Sequence, residues 1–270
     1  MYNSFQLAFK YLHYYRTAAN SAGHGIHSPF VYEFVRAVLK EKQKDASFEK
    51  IENLRKELLR DQTLINVKDY GAGSAMNNGL QRRVADVARH AAKRPVIAQL
   101  LFRIARYFQP DSIIELGTSL GISAAYLAAA VPPATVVSIE GSELIAELAR
   151  KNLQQLHAAN VQVISGTFDE KLPGILSNFK KIDCVFIDGN HGKEPTLRYF
   201  NLFLPHLSES GFLIFDDIHW SRDMEAAWEM IKQHPQVTCT MDLFFIGLVF
   251  FRREIKVPQH FIIRYPYFWR

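Results

Sequence analysis

The sequence predicts an α/β fold with a doubly wound, mostly parallel sheet of the Rossmann-like kind. From residue 111 onward, short apolar runs alternate with segments of helical periodicity, an order typical of parallel strands covered by helices on both faces. The predicted parallel strands lie at 112–116, 135–139, 161–164, 182–187 and 211–215. Two further apolar runs, 237–241 and 243–251, almost adjoin and predict an antiparallel pair at the sheet edge.

The composition provides enough apolar material for such a core and excludes other classes of protein. Of the 270 residues, 48% are hydrophobic and 22% charged, which excludes a mainly disordered chain. The longest apolar run, Leu243 to Phe251, is far shorter than the roughly 20 residues that span a bilayer. No signal peptide is apparent, and Cys184 and Cys239 lie inside apolar runs. We therefore expect a cytoplasmic protein without disulfides.

The chain divides into three predicted segments. Residues 1–95 predict a helical N-terminal extension or lid, 96–251 the α/β domain, and 252–270 a basic, aromatic C-terminal tail. The first predicted helix has one apolar stripe, made of Phe5, Leu7, Ala8, Tyr11, Leu12 and Tyr15. A further helix is predicted at the start of the α/β domain, from about residue 96 to residue 107.

The net charge of +5 conceals an uneven distribution along the chain. Residues 111–251 contain 17 acidic and nine basic side chains, whereas the segments on both sides are basic. The arginines among aromatic residues at both ends leave a nucleic-acid-binding role open. We favour basic ends that cover the acidic domain as a lid and clamp.

Acidic residues follow four of the five predicted parallel strands. They are Glu115, Glu140, Asp188 and the pair Asp216–Asp217. A single carboxylate at such a place is commonly a helix cap or a solvated loop residue. Ligands of doubly wound sheets bind beyond the carboxyl ends of the strands, so the four acids together indicate a binding site.

A glycine-containing turn follows the first of these strands. Gly117 and Gly121 allow a tight turn and close approach of the backbone to a ligand. The dinucleotide fingerprint would require glycine also at positions 119 and 122, where Ser119 and Ile122 stand. Glu140 ends the second strand, where an acid can bind ribose hydroxyls. A nucleoside without a diphosphate fits this pattern better than NAD, which points to S-adenosylmethionine.

Five segments resemble one enzyme family: ELGTSLGISAAYLA, VVSIEGSE, VISGTFDEKLP, CVFIDGNHGKE and GFLIFDDIHW. Through them residues 96–251 resemble class I S-adenosylmethionine-dependent methyltransferases, in particular the cation-dependent O-methyltransferases of the catechol, caffeoyl-CoA and macrocin types. Residues 1–95, with GHGIHSPF and DYGAGS, resemble an extension of some bacterial members.

The resemblance implies a set of cofactor contacts. Residues facing methionine and ribose would be Glu115, Gly117, Thr118, Ser119, Gly121, Ser123 and Glu140. Gly166, Thr167 and Phe168 stand where the family often has Gly-Asp-Ala against adenine, and Asp188 would complete the set.

The resemblance also implies a divalent-metal triad of Asp188, Asp216 and Asp217. Carboxylates this close repel one another unless a cation neutralises them, and carboxylate oxygens suit Mg²⁺. The ion would hold two vicinal oxygens of the acceptor and lower the pKa of the hydroxyl to be methylated. The alternative is that Asp216 and Asp217 only cap a helix that starts near Ser221.

The catalytic base implied by the resemblance is His191, three residues after Asp188. A histidine accepts a proton readily near neutral pH, and Lys193 is the second candidate. The alternative for His191 is an ordinary solvent-exposed loop histidine.

Other motifs are given structural interpretations. The segment 69–74, Asp-Tyr-Gly-Ala-Gly-Ser, imitates the glycine turn but is followed by one predicted basic helix through Arg82 and Arg83, so we interpret it as a turn or part of a lid. His24 and His27 lack a paired Cys or acid and predict a structured loop rather than a metal site. His219 and Trp220 are expected either at the acceptor pocket or in the core.

The sequence as a whole predicts a Mg²⁺-assisted O-methyltransferase acting on a small molecule with vicinal oxygens. A nucleic-acid methyltransferase that uses the basic extension is one alternative, and a non-catalytic S-adenosylmethionine-binding protein is another. Nucleic acid and membrane are not expected as partners, and a homodimer remains open.

Overall fold

The structure is a computed structural model that describes residues 1–18, 27–67 and 80–265. Its α-helices over these residues are α1 (Ser4–Thr17), α2 (Pro29–Phe34), α3 (Ala46–Leu58), α4 (Val84–Ala91), α5 (Pro95–Phe108), α6 (Ile122–Ala130), α7 (Glu143–Gln155), α8 (Phe168–Leu176), α9 (Lys193–Phe203) and α10 (Arg222–Lys232). A π-helical turn (Val35–Leu39) continues α2, and a 3₁₀ turn (Leu204–His206) follows α9.

The strands are β1 (Leu64–Val67), β2 (Leu80–Arg83), β3 (Ser112–Leu116), β4 (Thr135–Glu140), β5 (Val161–Ser165), β6 (Ile182–Ile187), β7 (Leu207–Asp216), β8 (Cys239–Asp242), β9 (Ile246–Phe250) and β10 (Gln259–Ile262). The five predicted parallel strands correspond to β3 to β7, and the predicted helix from residue 96 corresponds to α5. Both predictions are confirmed.

The chain packs as two compact units, of which one comprises Lys42–Lys180. In this unit β3, β4 and β5 run parallel in that order. Helix α6 connects β3 to β4 and helix α7 connects β4 to β5, as expected of a doubly wound sheet. Every residue of β3 is buried, which is typical of a parallel strand covered on both faces.

The other unit comprises Met1–Glu41 and Lys181–Arg270. Its strand order is β10-β8-β9-β7-β6. Strand β6 pairs with β7 in parallel, whereas β9 pairs with both β7 and β8 in antiparallel fashion. The α/β class with a mostly parallel sheet is therefore confirmed.

The sheet edge differs in one detail from the prediction. The antiparallel pair at 237–251 forms, as β8 and β9, but it does not occupy the edge. Strand β10, from the predicted tail, pairs in parallel with β8 and occupies the edge. The backbone groups on the outer side of β8 therefore form hydrogen bonds with β10. The sequence of β10 has no strong apolar run, so it was not predicted as a strand.

Helix α1 buries only part of the predicted stripe: Leu7, Tyr11 and Tyr15 are half-buried, whereas Phe5, Ala8 and Leu12 are exposed. Phe5 is 89% exposed, and the buried residue of the helix is Tyr14. The Tyr14 hydroxyl donates to the carbonyl of Ile263 and accepts from the backbone N–H of Tyr265 at 3.0 Å. The hydrogen bonds of the Tyr14 hydroxyl thus add to the half-buried apolar side chains on the inward side of this helix.

The helical extension or lid over residues 1–95 stays a prediction; its described residues form helices α1 to α4 and also a β-hairpin. Arg82 and Arg83 lie on β2, antiparallel to β1, and not on the expected basic helix, which begins only at Val84 as α4. The motif at 69–74 and His24 lie outside the described residues. His27 is exposed.

Among the described residues, no helix combines the length and the apolar character that crossing a bilayer requires. The predicted division at residues 95 and 251 stays a prediction. The two units are groups of residues that pack together, and their boundaries do not test where the predicted segments begin or end.

Candidate functional site

The turn between β3 and α6 has the conformation that its glycines allow. Gly117 and Gly121 have φ angles of 105° and 84°, in the region that favours glycine. The backbone N–H groups of Gly117 and Thr118 donate to the carbonyl of Ile139 at 3.0 and 3.1 Å, which joins the turn to β4. The turn is thus fixed before any ligand binds.

Ser119 of this turn combines an unusual backbone conformation with a buried hydroxyl group. It has a left-handed φ of 46°, unusual for a residue other than glycine. Its hydroxyl oxygen is buried and has no hydrogen-bond partner among the described residues. A buried hydroxyl normally finds a partner, so a polar group of a bound nucleoside would fit here.

Glu140 ends β4 and holds the turn through its carboxylate. Its Oε2 accepts from the backbone N–H of Ser119 at 2.8 Å, and its Oε1 accepts from that of Ser142 at 3.0 Å. Each carboxylate oxygen can accept more than one hydrogen bond, so ribose hydroxyls could still bind. The predicted ribose role of Glu140 stays a prediction, beside this observed role in shaping the turn.

Glu115 is fully buried, with an exposure of 0%. Its Oε2 accepts from the hydroxyl of Ser138, which also shares a hydrogen bond of 2.6 Å with the Thr118 hydroxyl. This chain of polar side chains fastens β3, β4 and the turn to one another. The predicted contact of Glu115 and Thr118 with the cofactor stays a prediction.

The remaining predicted cofactor residues lie at the starts of two helices. Ser123 is buried in the first turn of α6. Gly166, with a φ of 133°, donates its N–H to the Glu140 carbonyl at 2.9 Å. Thr167 caps α8 by accepting from the Glu170 N–H at 3.3 Å, and Phe168 is the first residue of that helix. Gly166 is thus joined to the end of β4 beside Glu140.

A second group of functional side chains lies at the carboxyl ends of β6 and β7. Asp188, His191 and Asp216 each offer one ligand atom, and these atoms all lie within 4.8 Å of one another. His191 Nε2 is 3.6 Å from Asp188 Oδ1, and Asp216 is only 1% exposed. Two carboxylates and an imidazole at these separations fit a divalent cation.

The composition of this group differs from the predicted triad. Asp188 and Asp216 are brought together as expected, but within the described residues the third member is His191 and not Asp217. Asp217 follows β7 with a left-handed φ of 56°. Its role as a metal ligand and the role of His191 as the base stay predictions.

Helix capping does not account for the Asp216–Asp217 pair. Helix α10 begins at Arg222, and its cap is Ser221, whose hydroxyl accepts from the Met224 N–H at 3.1 Å. The alternative interpretation, in which the two acids serve only as caps for this helix, is therefore wrong.

Unusual backbone conformations concentrate in these loops. Among the described residues, Ser119, Asn190 and Asp217 are three of six non-glycine residues with a positive φ. Such conformations are unfavourable and persist where surrounding contacts enforce them, commonly at binding sites.

A network of charges surrounds His219, just after the Asp216–Asp217 pair. His219 Nδ1 is 3.0 Å from Glu225 Oε1, and Nε2 is 2.7 Å from Asp242 Oδ2. Burial by itself lowers the pKa of His219, but the hydrogen bonds to Asp242 and Glu225 raise it to about 9. The imidazole is therefore charged at neutral pH and donates from both nitrogens.

Lys10 of helix α1 and Tyr2, which precedes the helix, complete this network. Lys10 Nζ lies 2.9 Å from Glu225 Oε1, and the Tyr2 hydroxyl donates to Glu225 Oε2 at 2.6 Å. Burial opposes ionisation of Glu225, but hydrogen bonds from His219, Tyr2 and Lys10 lower its pKa to about 2. The carboxylate is thus ionised across the neutral range.

Sequence reasoning did not identify Tyr2, Lys10, Glu225 or Asp242 as neighbours of His219. Tyr2, Lys10 and Asp242 are distant from His219 in the chain, and Glu225, six residues away, shares no motif with it. Trp220 is half-buried, and its carbonyl accepts from the Tyr2 N–H at 3.1 Å. Lys193 is the first residue of α9.

Parts of this chain are similar to known proteins, among them methyltransferases. Residues 114–218 match a family model described as a methyltransferase domain. The chain is 30% identical over 129 residues to the uncharacterized protein R132 of Acanthamoeba polyphaga mimivirus, covering 44% of this chain and 57% of that protein. It is 31% identical over 126 residues to a catechol O-methyltransferase of Niastella koreensis, covering 46% and 56%. The chain thus spans just over half the length of these curated relatives.

Solved structures extend the likeness in fold. An O-methyltransferase from Bacillus cereus in complex with SAH has a TM-score of 0.55 and 21% identity, covering 82% of this chain and 97% of that one. TomG, an O-methyltransferase from Streptomyces achromogenes in complex with SAM, has a TM-score of 0.55 and 20% identity, covering 82% and 95%. At these identities the likeness establishes the fold.

Residues 114–218 match the methyltransferase-domain model, and the resemblance to S-adenosylmethionine-dependent methyltransferases is confirmed over this part of the chain. The Rossmann-like fold class predicted from the sequence is confirmed with it.

Proposed function

We propose that this protein transfers a methyl group from S-adenosylmethionine to an oxygen of a small molecule with two vicinal oxygens, assisted by a divalent cation. The observation that carries the proposal is the grouping of Asp188, His191 and Asp216 within 4.8 Å at the ends of two parallel strands. Likeness to a catechol O-methyltransferase over about half of that protein supports the same reaction class.

The methyl donor would bind at the turn between β3 and α6. The buried Ser119 hydroxyl and the fixed backbone of the turn support this assignment. The left-handed conformations of Gly117 and Gly121 bring the backbone close to a ligand without a side chain in between.

The acceptor would bind beside Asp188 and Asp216, which would hold the cation. A cation bound there would lower the pKa of a coordinated hydroxyl. The hydroxyl oxygen then bonds to the methyl carbon as the carbon–sulfur bond breaks, and S-adenosylhomocysteine leaves. The enzyme's contribution is mainly the alignment of these atoms.

His191 would take the proton from the acceptor hydroxyl. The His191 Nε2 atom lies 3.6 Å from Asp188 Oδ1, which places the imidazole beside the proposed acceptor site. One imidazole nitrogen cannot accept this proton and bind the cation at once, so the two roles can be separated by experiment.

The first experiment measures methyl transfer to a panel of catechols, sugars and polyketides, with Mg²⁺ or with EDTA. Activity on vicinal diols that EDTA abolishes supports the proposal, whereas full activity in EDTA contradicts the role of the cation. We expect Asp216→Asn to abolish transfer, while the matched control Asp223→Asn, at an exposed position of α10, retains it.

The second experiment separates the roles of His191. His191→Gln should reduce kcat at least 100-fold while the Kd for Mn²⁺ changes less than threefold. An equally large loss of Mn²⁺ affinity would instead make His191 a metal ligand. Methylation of RNA, or S-adenosylmethionine binding without transfer to any acceptor, would contradict the proposal as a whole.

A further inference from the structure

Residues 217–221 connect β7 to α10 and form a loop that we call the rim loop. It begins with the left-handed φ of 56° at Asp217, directly after Asp216. Aspartate adopts this conformation more readily than most residues do, yet it is still less favoured than the right-handed region, so contacts elsewhere in the loop help to maintain it. Because Asp216 and Asp217 adjoin, any relaxation at Asp217 would also move Asp216.

Backbone hydrogen bonds hold the rim loop at three points, one of which is the bond of 3.1 Å from the Tyr2 N–H to the Trp220 carbonyl. The Ile218 N–H donates to the carbonyl of Phe245 at 3.4 Å, which is a long hydrogen bond. The Trp220 N–H donates to the Asp217 carbonyl at 2.9 Å, which closes the turn upon itself. The Ile218 side chain is also buried, at 1% exposure, so His219 lies between two residues that are held in place.

The side chain of His219 attaches the middle of the rim loop to the rest of the unit. The imidazole joins Glu225 of α10, at 3.0 Å, to Asp242 at the end of β8, at 2.7 Å. These are charge-assisted hydrogen bonds, which are shorter and stronger than neutral ones. His219 therefore fastens the rim loop on two sides at once.

Both acceptors of His219 are themselves held in place. Asp242 Oδ1 accepts from the Phe244 N–H at 2.8 Å, which orients its Oδ2 toward the imidazole. Glu225 is held by Lys10 and by the Tyr2 hydroxyl of the N-terminal segment. The stacked ring of Phe244, 5.1 Å from the His219 ring, limits sideways movement of the imidazole.

We propose that His219 is a positioning residue for the cation site: its two hydrogen bonds hold the rim loop in the conformation that keeps the Asp216 carboxylate beside Asp188 and His191. The inference rests on the proposed function, because it presupposes that Asp188 and Asp216 hold a cation. His219 is not a member of the ligand group, so it acts through the loop.

The test measures Mn²⁺ binding to the full chain by electron paramagnetic resonance, which detects the free ion. We expect His219→Ala to raise the Kd for Mn²⁺ at least tenfold, as supporting residues of metal sites commonly do. His219→Gln, which retains one amide donor, should lie between His219→Ala and the wild type. Asp223→Asn, at an exposed position of α10, should stay within twofold of the wild type.

Two further measurements separate positioning from general damage. The Kd for S-adenosylhomocysteine, by calorimetry, should change less than twofold in every His219 variant. Asp216→Asn should lose Mn²⁺ binding altogether. Should His219→Ala fail to fold, His219→Gln carries the same comparison with a smaller expected shift of about threefold.

The outcomes are distinguishable. If the wild type binds Mn²⁺ and His219→Ala and His219→Gln bind it equally well, the positioning role is overturned and the proposed function stands. If the wild type binds S-adenosylhomocysteine but no Mn²⁺, the cation site of the proposed function is overturned, and the positioning role of His219 with it. Equal weakening of Mn²⁺ and S-adenosylhomocysteine binding would also overturn the positioning role.

Discussion

Gly247 on β9 offers a sharp test of how the rim loop is supported. A Cβ atom at this position would lie 2.8 Å from both Cη2 and Cζ3 of Trp228 and 3.0 Å from Cγ2 of Ile218. Trp228 is 1% exposed, so its ring cannot move into solvent. Ile218 belongs to the rim loop, and a displacement there would reach Asp216 and Asp217.

We expect Gly247→Ala to destabilise the protein by about 1–3 kcal/mol, the usual cost of an overpacked core. Part of the strain should pass through Ile218, so the Kd for Mn²⁺ should rise as well. The free energy of unfolding is measured by urea titration, and Mn²⁺ binding by electron paramagnetic resonance.

Gly174→Ala is the matched control for Gly247→Ala. Gly174 lies inside α8, and nothing lies within 4 Å of a Cβ built there. Alanine in a helix interior is favoured over glycine by about 0.5–1 kcal/mol, so this variant should be slightly more stable than the wild type.

A double-mutant cycle identifies the clash itself. Phenylalanine lacks the two Trp228 atoms that the new methyl group would approach, so Trp228→Phe should relieve the strain of Gly247→Ala. The two changes together should cost less than the total of their separate effects, by about 0.5–3 kcal/mol. Strict additivity, or a Gly247→Ala variant as stable as the wild type, would refute the reasoning.

Three further predictions concern stability. Ser221→Ala removes the cap of α10 and should cost about 1 kcal/mol of unfolding free energy in urea, with Ser→Gly there costing less. Gly121→Ala should cost about 1–2 kcal/mol and weaken S-adenosylhomocysteine binding, because φ is 84° and a Cβ would lie 3.3 Å from Leu153. The pKa of His219 is raised from 6.5 to about 9, so its stabilising contribution is fully present below pH 6.5 and is lost as pH rises through 9. Urea titrations at several pH values should show this loss in the wild type and not in His219→Gln; an equal loss in both would contradict it.

Local sequence patterns were sufficient for much of the fold. The apolar runs of β3 to β7 and the glycine turn at Gly117 depend on burial and on backbone conformation, and both are encoded by neighbouring residues. The same holds for α5, which begins at a proline and ends near an exposed glutamine in a left-handed conformation.

Elements that depend on distant partners were not predictable in the same way. The inward side of α1 is held in part by hydrogen bonds between Tyr14 and the backbone at Ile263 and Tyr265, some 250 positions away. Strand β10 has little apolar character of its own and forms because β8 presents an unpaired edge.

In the candidate site, too, some features follow from local sequence and others depend on contacts between distant residues. The sequence by itself determined that acids follow the strands, so Asp188 and Asp216 were candidates for a binding site because strand ends are local properties. The candidate role of His191 was implied by the family resemblance. Only the tertiary structure decided that His191 joins the two aspartates while Asp217 stands outside their group, and that Ser221 caps α10. It also brought Glu225 and Asp242 to His219. These arrangements depend on how strands and loops pack side by side, and residue spacing along the chain does not contain that information.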